Sequence, residues 1–336
     1  MPLVSILMTA YNREAFIADA IQSVLAQTFT DFELIIVDDG SKDRTLEIAN
    51  HFVSRDRRIR VFVNERNLGD YPNRNRAASL ASGTFLKYHD SDDLLYPHCL
   101  AVMVPLLAAH PQASFALSPG AREWMGGPCP MLLTPRMCYQ REFLGGGMFH
   151  VGPACALFRA EAFRRLGMFP EVGPHSDGAF WLNACATENV LLVPGNLFWY
   201  RVHQGQHLQS SGAARDGALA SHRYWAALNS PSCPLEAEER ELAKRNCAWK
   251  IGRTILNHVK SRQFGVALAY LQHAGINPAE WFRYFRRQRR DMSAGTPRDA
   301  NGEFILPGWS DFRHADAPIS ESDRSHAKVI TQEPGA

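Results

Sequence analysis

No run of about 18 uncharged apolar residues occurs in this chain, so nothing in it is expected to span a membrane. The opening residues Met1-Pro2-Leu3-Val4-Ser5-Ile6-Leu7-Met8 lack a basic lead-in and are too short for a signal peptide. They read as a first strand. The seven cysteines are scattered, odd in number and without a Cys-x-x-Cys pair, which excludes a disulfide framework and a zinc ribbon and reads as reduced thiols in a cytoplasmic protein. A net charge of +2 is too small for bulk binding of nucleic acid, so no nucleic-acid partner is expected. No Gly-x-Gly-x-x-Gly follows the first apolar run, and Gly145-Gly146-Gly147 stands far from it; a Rossmann dehydrogenase is thereby excluded. What remains is a chain of 336 residues with 46% hydrophobic content, enough for one large α/β domain and a smaller appendage.

Its first hundred residues alternate regularly. Continuous apolar runs at 4–9, 32–37, 59–63 and 84–88 have strand length, while 15–27, 43–52 and 72–81 carry helical spacing, as in Ile17, Ala20, Ile21, Val24 and Leu25. Fully apolar strands separated by helices predict a mostly parallel sheet covered on both faces. Ligands of such sheets bind beyond the carboxyl ends of the strands. Three of those ends carry polar clusters here: Thr9-Ala10-Tyr11-Asn12, Asp38-Asp39-Gly40-Ser41 and Asp90-Ser91-Asp92-Asp93. Convergence of the three on one crevice is the strongest sign of a site.

The last cluster packs three carboxylates into four residues. Like charges this close repel and shift one another's pKa, a cost that a divalent cation removes. Mg²⁺ or Mn²⁺ is commonly held by one or two carboxylates with substrate phosphates completing the shell. The plain alternative is a solvated acidic turn capping a helix at 94–107.

Further along, residues 110–150 are rich in Pro, Gly and Met and read as loops and irregular strands. Strands are expected at 154–158, 190–193 and 197–200, a short helix at 160–166, and a loop at 205–217. Helical spacing holds from 218 to about 290, most clearly over 236–256, and the residues after Met292 read as a poorly ordered tail.

Taken together, Val4-Ser5-Ile6-Leu7-Met8-Thr9-Ala10-Tyr11-Asn12, Ser23-Val24-Leu25-Ala26-Gln27-Thr28, Glu33-Leu34-Ile35-Ile36-Val37-Asp38-Asp39-Gly40-Ser41, Asn67-Leu68-Gly69, Arg74-Asn75 and the Asp90–Asp93 cluster resemble, in fixed order, the family 2 inverting glycosyltransferases of the GT-A fold. The likeness is collinear over residues 3–100 and patchy to about 211. It implies a catalytic domain over 1–211, a helical extension over 212–292 outside the resemblance, and the tail over 293–336.

The resemblance also implies roles. Thr9, Tyr11, Asn12, Asp38, Asp39, Arg74 and Asp90 would bind the donor. In that set Tyr11 would pack on the nucleotide base and Asp39 would accept hydrogen bonds from it, with Asp38 beside it. Arg74 would neutralise the diphosphate or fix the nucleotide, and Asp90 would face the ribose or support the metal site. Asp92 would ligate Mn²⁺ or Mg²⁺, with Asp93 as the alternative. His203, in Tyr200-Arg201-Val202-His203, would touch the diphosphate or the metal unless it is a surface histidine, and His207 stands nearby. An inverting transfer needs a general base for the acceptor hydroxyl. Asp177, in Pro174-His175-Ser176-Asp177-Gly178-Ala179-Phe180-Trp181, stands where the family carries that acid, although Ser176 occupies a position where a second acid is common. Asp177 is also suited to N-capping a helix over 180–186; Glu171 and Glu188 are the other candidate bases. His89 replaces a usually apolar residue and is read as packing or as a supporting hydrogen bond. Trp124, Trp181 and Trp199 are core residues or a sugar platform, with core favoured.

The expected activity is a non-processive, metal-dependent transfer of sugar from a UDP- or dTDP-linked donor to a hydroxyl of a glycan, lipid-linked or protein-linked acceptor, in cell-surface polysaccharide biosynthesis. A processive synthase would carry membrane spans and Gln-x-x-Arg-Trp, which are absent. Two other readings remain: a nucleotidyltransferase, disfavoured because Thr9-Ala10-Tyr11-Asn12 is not a basic Gly-rich loop, and a non-catalytic nucleotide-sugar binder. Finally, the segment from Trp281 to Arg290 puts four aromatics and five arginines on one short helix. It either contacts the inner face of an anionic membrane or docks its aromatics on the protein.

Overall fold

The computed structural model of the chain describes residues 1–118, 129–203, 213–277, 279–281, 283 and 284. Four parallel strands form its first half: β1 (Val4–Ala10), β2 (Phe32–Asp38), β3 (Ile59–Val63) and β4 (Phe85–Asp90), connected by α1 (Ile17–Leu25), α2 (Thr45–Val53) and α3 (Asp70–Ser79). After β4 come β5 (Leu94–Leu95), α4 (Cys99–Ala108), β6 (Phe115–Leu117), β7 (Met131–Leu133) and α5 (Pro135–Phe143). Next are β8 (Ala156–Arg159), α6 (Ala160–Arg165), α7 (Ser176–Ala184), β9 (Val190–Leu192) and β10 (Phe198–Trp199). Three helices follow: α8 (Ala213–Asn229), α9 (Ala237–Lys260) and α10 (Phe264–His273).

Eight strands make one sheet in the order β3-β2-β1-β4-β8-β6-β9-β7. β1 pairs in parallel with β2 on one side and β4 on the other, so the strand order reverses at β1. That switch point opens a crevice at the strands' carboxyl ends. Thr9 lies level with Val37 and with Asp90, which fixes the register of the three polar clusters. Beyond β4 the sheet is mixed: β8 runs antiparallel to β4 and β6, β9 is parallel to β6, and β7 antiparallel to β9. Gly83 lets β4 enter beside β1, because a Cβ there would lie 2.6 Å from the Ser5 backbone nitrogen.

Two expectations are corrected here. The helix at 94–107 begins only at Cys99; Leu94 and Leu95 instead pair with Trp199 and Phe198 as a small antiparallel ribbon. Pro97 biases Tyr96 towards extended backbone and delays the helix, so the acidic cluster caps nothing. Within 110–150, expected as loops and irregular strands, 135–143 is a helix. Thr134 caps it by accepting the Met137 N–H and Pro135 takes its first position, a start signal present in the sequence.

The core lies on both sheet faces. One face collects Phe115, Phe158, Phe163, Phe169, Phe180 and Trp181, with Trp181 stacked on Phe158 at 5.8 Å. The same cluster runs on into Trp225, Leu228, Cys247 and Ile251 of α8 and α9, and Arg136 of α5 pairs with Glu236 and Glu239. Helices α8 and α9 therefore share one core with the sheet domain. The tail expected over 293–336 lies outside the described residues. No helix among the described residues is long and apolar enough to cross a membrane.

Trp281 and Tyr284 turn inward. The Trp281 indole donates to the Ala248 carbonyl at 3.1 Å and its ring covers Gly252, while Tyr284 is buried against Trp225. For these two aromatics docking on the protein replaces the membrane reading; Phe282 and residues 285–290 lie outside the described residues.

Candidate active site

The crevice at the ends of β1, β2 and β4 holds a cavity of about 510 Å³. Thr9, Tyr11, Asn12, Asp39, Arg74, Asp90 and Asp92 all line it, as do Arg13, Asp70, Asn73 and Tyr200. Asp38 does not: it is buried, and its carboxylate takes the N–H groups of Gly40 and Ser41 and the Ser41 hydroxyl, which folds the turn after β2. Asn12, at φ 53°, ties the loop after β1 to that turn by accepting the Lys42 N–H at 2.8 Å and donating its own N–H to Ser41. Asp39 accepts from the Asn64 amide, the Leu68 N–H and the Gly69 N–H at 2.6, 2.8 and 2.9 Å. These bonds hold the 64–69 loop as the cavity's side wall. Gly69 meets Asp39 at φ 88°, a conformation that a side chain would strain.

Arg74 is nearly buried between Asp70 (2.8 Å) and Asp90 (2.7 Å). Burial works against its charge, but the two carboxylates raise its pKa well above the usual arginine value. The effect is mutual: burial would raise the Asp90 pKa, and the guanidinium more than offsets this and holds it below the usual Asp range. The remaining nitrogen, Nη1, is buried without a hydrogen-bond partner. An orphaned cationic donor in a cavity wall is suited to an anionic ligand.

The acidic cluster divides its work. Asp92 reaches the cavity, and its Oδ2 lies 3.0 Å from Arg13 Nε and 3.0 Å from His203 Nε2. His203 is delivered there by the β5–β10 ribbon and packs on Phe16 at 4.4 Å. Asp93 is buried and does not line the cavity; its Oδ1 accepts the Arg201 N–H at 2.9 Å. Burial, with the charge of Asp90, pushes the Asp93 pKa up to about 7. For a divalent cation the donor set is therefore Asp92 with His203, one carboxylate and one imidazole. Among the described residues no group of three or more such side chains is gathered, so further ligands would have to be phosphate oxygens or water. Asp93 fits a structural role better than that of the alternative ligand. His89 is fully buried beside α1, 3.4 Å from the Ser23 hydroxyl; burial and then Lys87 pull its pKa down to about 4, so it is neutral.

A second cavity, about 960 Å³, adjoins the first through Tyr200, which lines both. Its wall includes the aromatic side chains of Tyr96, Phe149, Phe198, Trp199 and Tyr224. Asp177 stands in it. Helix α7 starts at Ser176, not Phe180, so Asp177 lies in its first turn rather than at the cap, and His175 is the N-cap. Ser176, in the place of the family's usual acid, closes the 172–176 loop by donating to the Gly173 carbonyl and accepting the Val172 N–H. Burial raises the Asp177 pKa, while the hydrogen bond from the Gly178 N–H and the influence of the Tyr71 hydroxyl pull against it. A carboxylate with a raised pKa in a cavity is suited to accepting a proton. Glu188 is spent on Arg165 at 2.7 Å, and Glu171 lines neither cavity. Trp181 is core, Trp199 is the exposed wall of the second cavity, and Trp124 and His207 lie outside the described residues.

Residues that sequence reading passed over include Arg13, Asp70 and Asn73 in the first cavity and Tyr71 between the two. Asp70 and Tyr71 stand at the start of α3, beside the recognised Asn67-Leu68-Gly69 and Arg74; Arg13 follows Asn12 directly. The Asn75 amide bonds both the N–H and the carbonyl of Phe169, which anchors the loop leading to Asp177.

Residues 5–167 match the model of a family described as Glycosyl transferase family 2. An uncharacterized glycosyltransferase of Haemophilus influenzae is 30% identical over 189 residues, 54% of this chain and 72% of that protein. Two further curated relatives match over only 27% and 33% of their own lengths. Among solved structures, S. aureus TarS 1-349 in complex with UDP-GlcNAc gives a TM-score of 0.59 at 20% identity, over 84% of this chain and 79% of that one. The mannosyltransferase PcManGT from Pyrobaculum calidifontis, in complex with GDP-Man and Mn²⁺, gives 0.55 at 17% identity over 88% and 81%. At such identities the two structures speak for the fold, a GT-A sheet with flanking helices.

Proposed function

The chain belongs to glycosyltransferase family 2, with the GT-A fold, and from that premise we propose that it transfers a sugar, with inversion and one residue at a time, from a UDP- or dTDP-linked donor to a hydroxyl of a glycan, lipid-linked or protein-linked acceptor in cell-surface polysaccharide biosynthesis. The observation that carries this reading is the adjacency of two unlike cavities through Tyr200: a polar one ringed by Asp39, Arg74, Asp90 and Asp92, and an aromatic one holding Asp177. A polar cavity suits a nucleoside diphosphate, and aromatic walls suit the apolar faces of a sugar acceptor. TarS binds UDP-GlcNAc and PcManGT binds GDP-Man with Mn²⁺, which supports a nucleotide-sugar donor here.

In this reading Tyr11, exposed at the cavity mouth, offers its ring to the base, and Asp39 uses the free capacity of its Oδ2. Arg74, in the cavity wall, sets its positive charge against the diphosphate. The cavity wall sets four carboxylates, Asp39, Asp70, Asp90 and Asp92, against the guanidinium groups of Arg13 and Arg74. A diphosphate entering that excess of negative charge needs a cation, and Asp92 with His203 would hold Mn²⁺ or Mg²⁺. Such an ion supplies Lewis-acid stabilisation of the departing diphosphate. Asp177 takes the proton of the acceptor hydroxyl as its oxygen attacks the anomeric carbon from the face opposite the leaving group.

The test is a melting series with UDP, dTDP, GDP and CMP, with and without Mn²⁺. One diphosphate is expected to stabilise the protein in a metal-dependent way, by ~3 kcal/mol at a hundredfold excess over Kd. Asp92→Ala should keep the fold and lose the metal-dependent part. Wild-type response from that variant would remove the metal assignment, and no response to any nucleotide would remove the donor reading. Binding without turnover of any acceptor would leave a non-catalytic binder.

A further inference from the structure

We propose that the hairpin of α9 and α10 is a contact surface for an anionic lipid bilayer. Every strongly exposed leucine and phenylalanine among the described residues lies in these two helices: Leu242, Leu256, Phe264, Leu268 and Leu271. On α10 they form one stripe. Phe264, Leu268 and Leu271 follow the i, i+4, i+7 spacing of a single face and are 62%, 52% and 59% exposed, whereas Ala267, on the flank of that face, is buried. The last turns of α9 add Leu256 and Val259, also exposed. Single exposed leucines are ordinary on a protein surface, but a spaced set on one helical hairpin calls for a partner.

Charge identifies that partner. From Leu242 to Ala279 the sequence has no Asp or Glu, yet it carries Lys244, Arg245, Lys250, Arg253, Lys260 and Arg262. The acids of α9 are confined to its first turns, where Glu236 and Glu239 bind Arg136 of the sheet domain. The hairpin therefore has an acidic end that docks inward and a basic, apolar end that faces out. Arg253, Lys260 and Arg262 are exposed and have no carboxylate partner among the described residues. Exposed apolar side chains beside uncompensated cations are the composition of an interfacial helix at an anionic membrane, where buried apolar area and electrostatic attraction add. A protein partner of ordinary composition would match the apolar stripe without requiring an acid-free surround. The neighbouring candidate, Trp281 with Tyr284, is spent on Ala248, Gly252 and Trp225.

The experiment is co-sedimentation of the full chain with vesicles of phosphatidylcholine alone and of phosphatidylcholine mixed with phosphatidylglycerol. Wild type should partition onto the mixed vesicles only, and less as salt is raised. Phe264→Ser combined with Leu268→Ser should weaken partitioning at least about tenfold, from the apolar area no longer buried. Arg253→Gln, Lys260→Gln and Arg262→Gln combined should weaken it by a similar factor or more. All positions are exposed, so melting temperature and nucleotide response should stay those of wild type. Equal binding to both vesicle types overturns the proposal. So does wild-type binding by the Phe264/Leu268 variant, which would move the contact to the segment ending at Arg290. A wild-type dimer in light scattering that the same variant converts to monomer also overturns it, because the stripe would then be an interface between copies.

Discussion

The two cavities are built on opposite principles. The first is a polar lattice in which nearly every side chain has a named partner: Asp39 takes three protein donors, Arg74 spans Asp70 and Asp90, and Asp92 meets Arg13 and His203. The second is a bowl rich in aromatic side chains with a single, half-buried carboxylate, Asp177. A lattice tolerates few substitutions, because each change strands a buried donor or acceptor. A bowl tolerates many, because apolar contact is not directional. In the proposed function the donor side is thus constrained to a fixed set of residue types, and the acceptor side is free to vary with the acceptor.

Removing the one carboxylate of the bowl should have the largest effect. Asp177→Asn keeps shape and the Gly178 contact but cannot take a proton, and turnover should fall by about 10²–10⁴-fold. Donor-induced stabilisation should be unchanged. A variant that turned over like wild type would place the base elsewhere. In the lattice the first casualty is the fold instead. Arg74→Leu would leave the partly exposed Asp70 and Asp90 without their shared cation, a loss of about 1–3 kcal/mol in urea unfolding at neutral pH. A loss under about 1 kcal/mol, the scale of an exposed pair, would mean that the lattice is a surface network and the contrast between the cavities is overstated.

The same contrast explains what the sequence disclosed. The strand-end clusters, Arg74 and the Asn67-Leu68-Gly69 turn were legible because a lattice at strand ends needs particular residues at short, fixed spacings. The parallel half of the sheet was legible for a similar reason: each of β1 to β4 is a short apolar run closed by a polar turn. The mixed half was not, since β6, β7 and β9 are three residues each and their pairing is set by tertiary contact. The delivery of His203 to Asp92 rests on two two-residue strands more than a hundred positions apart, Leu94–Leu95 and Phe198–Trp199. No local pattern announces it. Helix α5 is a different case: Thr134-Pro135 marked its start, but the surrounding Pro and Gly content masked the signal. Tyr71 was missed because its partner, Asp177, lies far along the chain.

Tyr71 is also where the lattice touches the bowl. It sits on α3 with Asp70 and Arg74, the Arg74 guanidinium lies 5.9 Å from its ring, and its hydroxyl favours the charged form of Asp177. Burial raises the Asp177 pKa and the Tyr71 hydroxyl lowers it, so Tyr71→Phe should raise it further while the ring keeps its packing on Phe169. The base works only when ionised. The acidic limb of kcat/KM should therefore move to higher pH. Turnover on the alkaline plateau should stay near wild type. Stability moves in the matching sense: the native state holds a proton on Asp177 that the unfolded chain has released, so this group's contribution declines as pH rises from the ordinary Asp range through the raised folded value. In Tyr71→Phe that decline should extend further towards neutral pH. A limb that stays in place would mean that the Tyr71 hydroxyl does not act on Asp177 and that the two cavities are energetically separate.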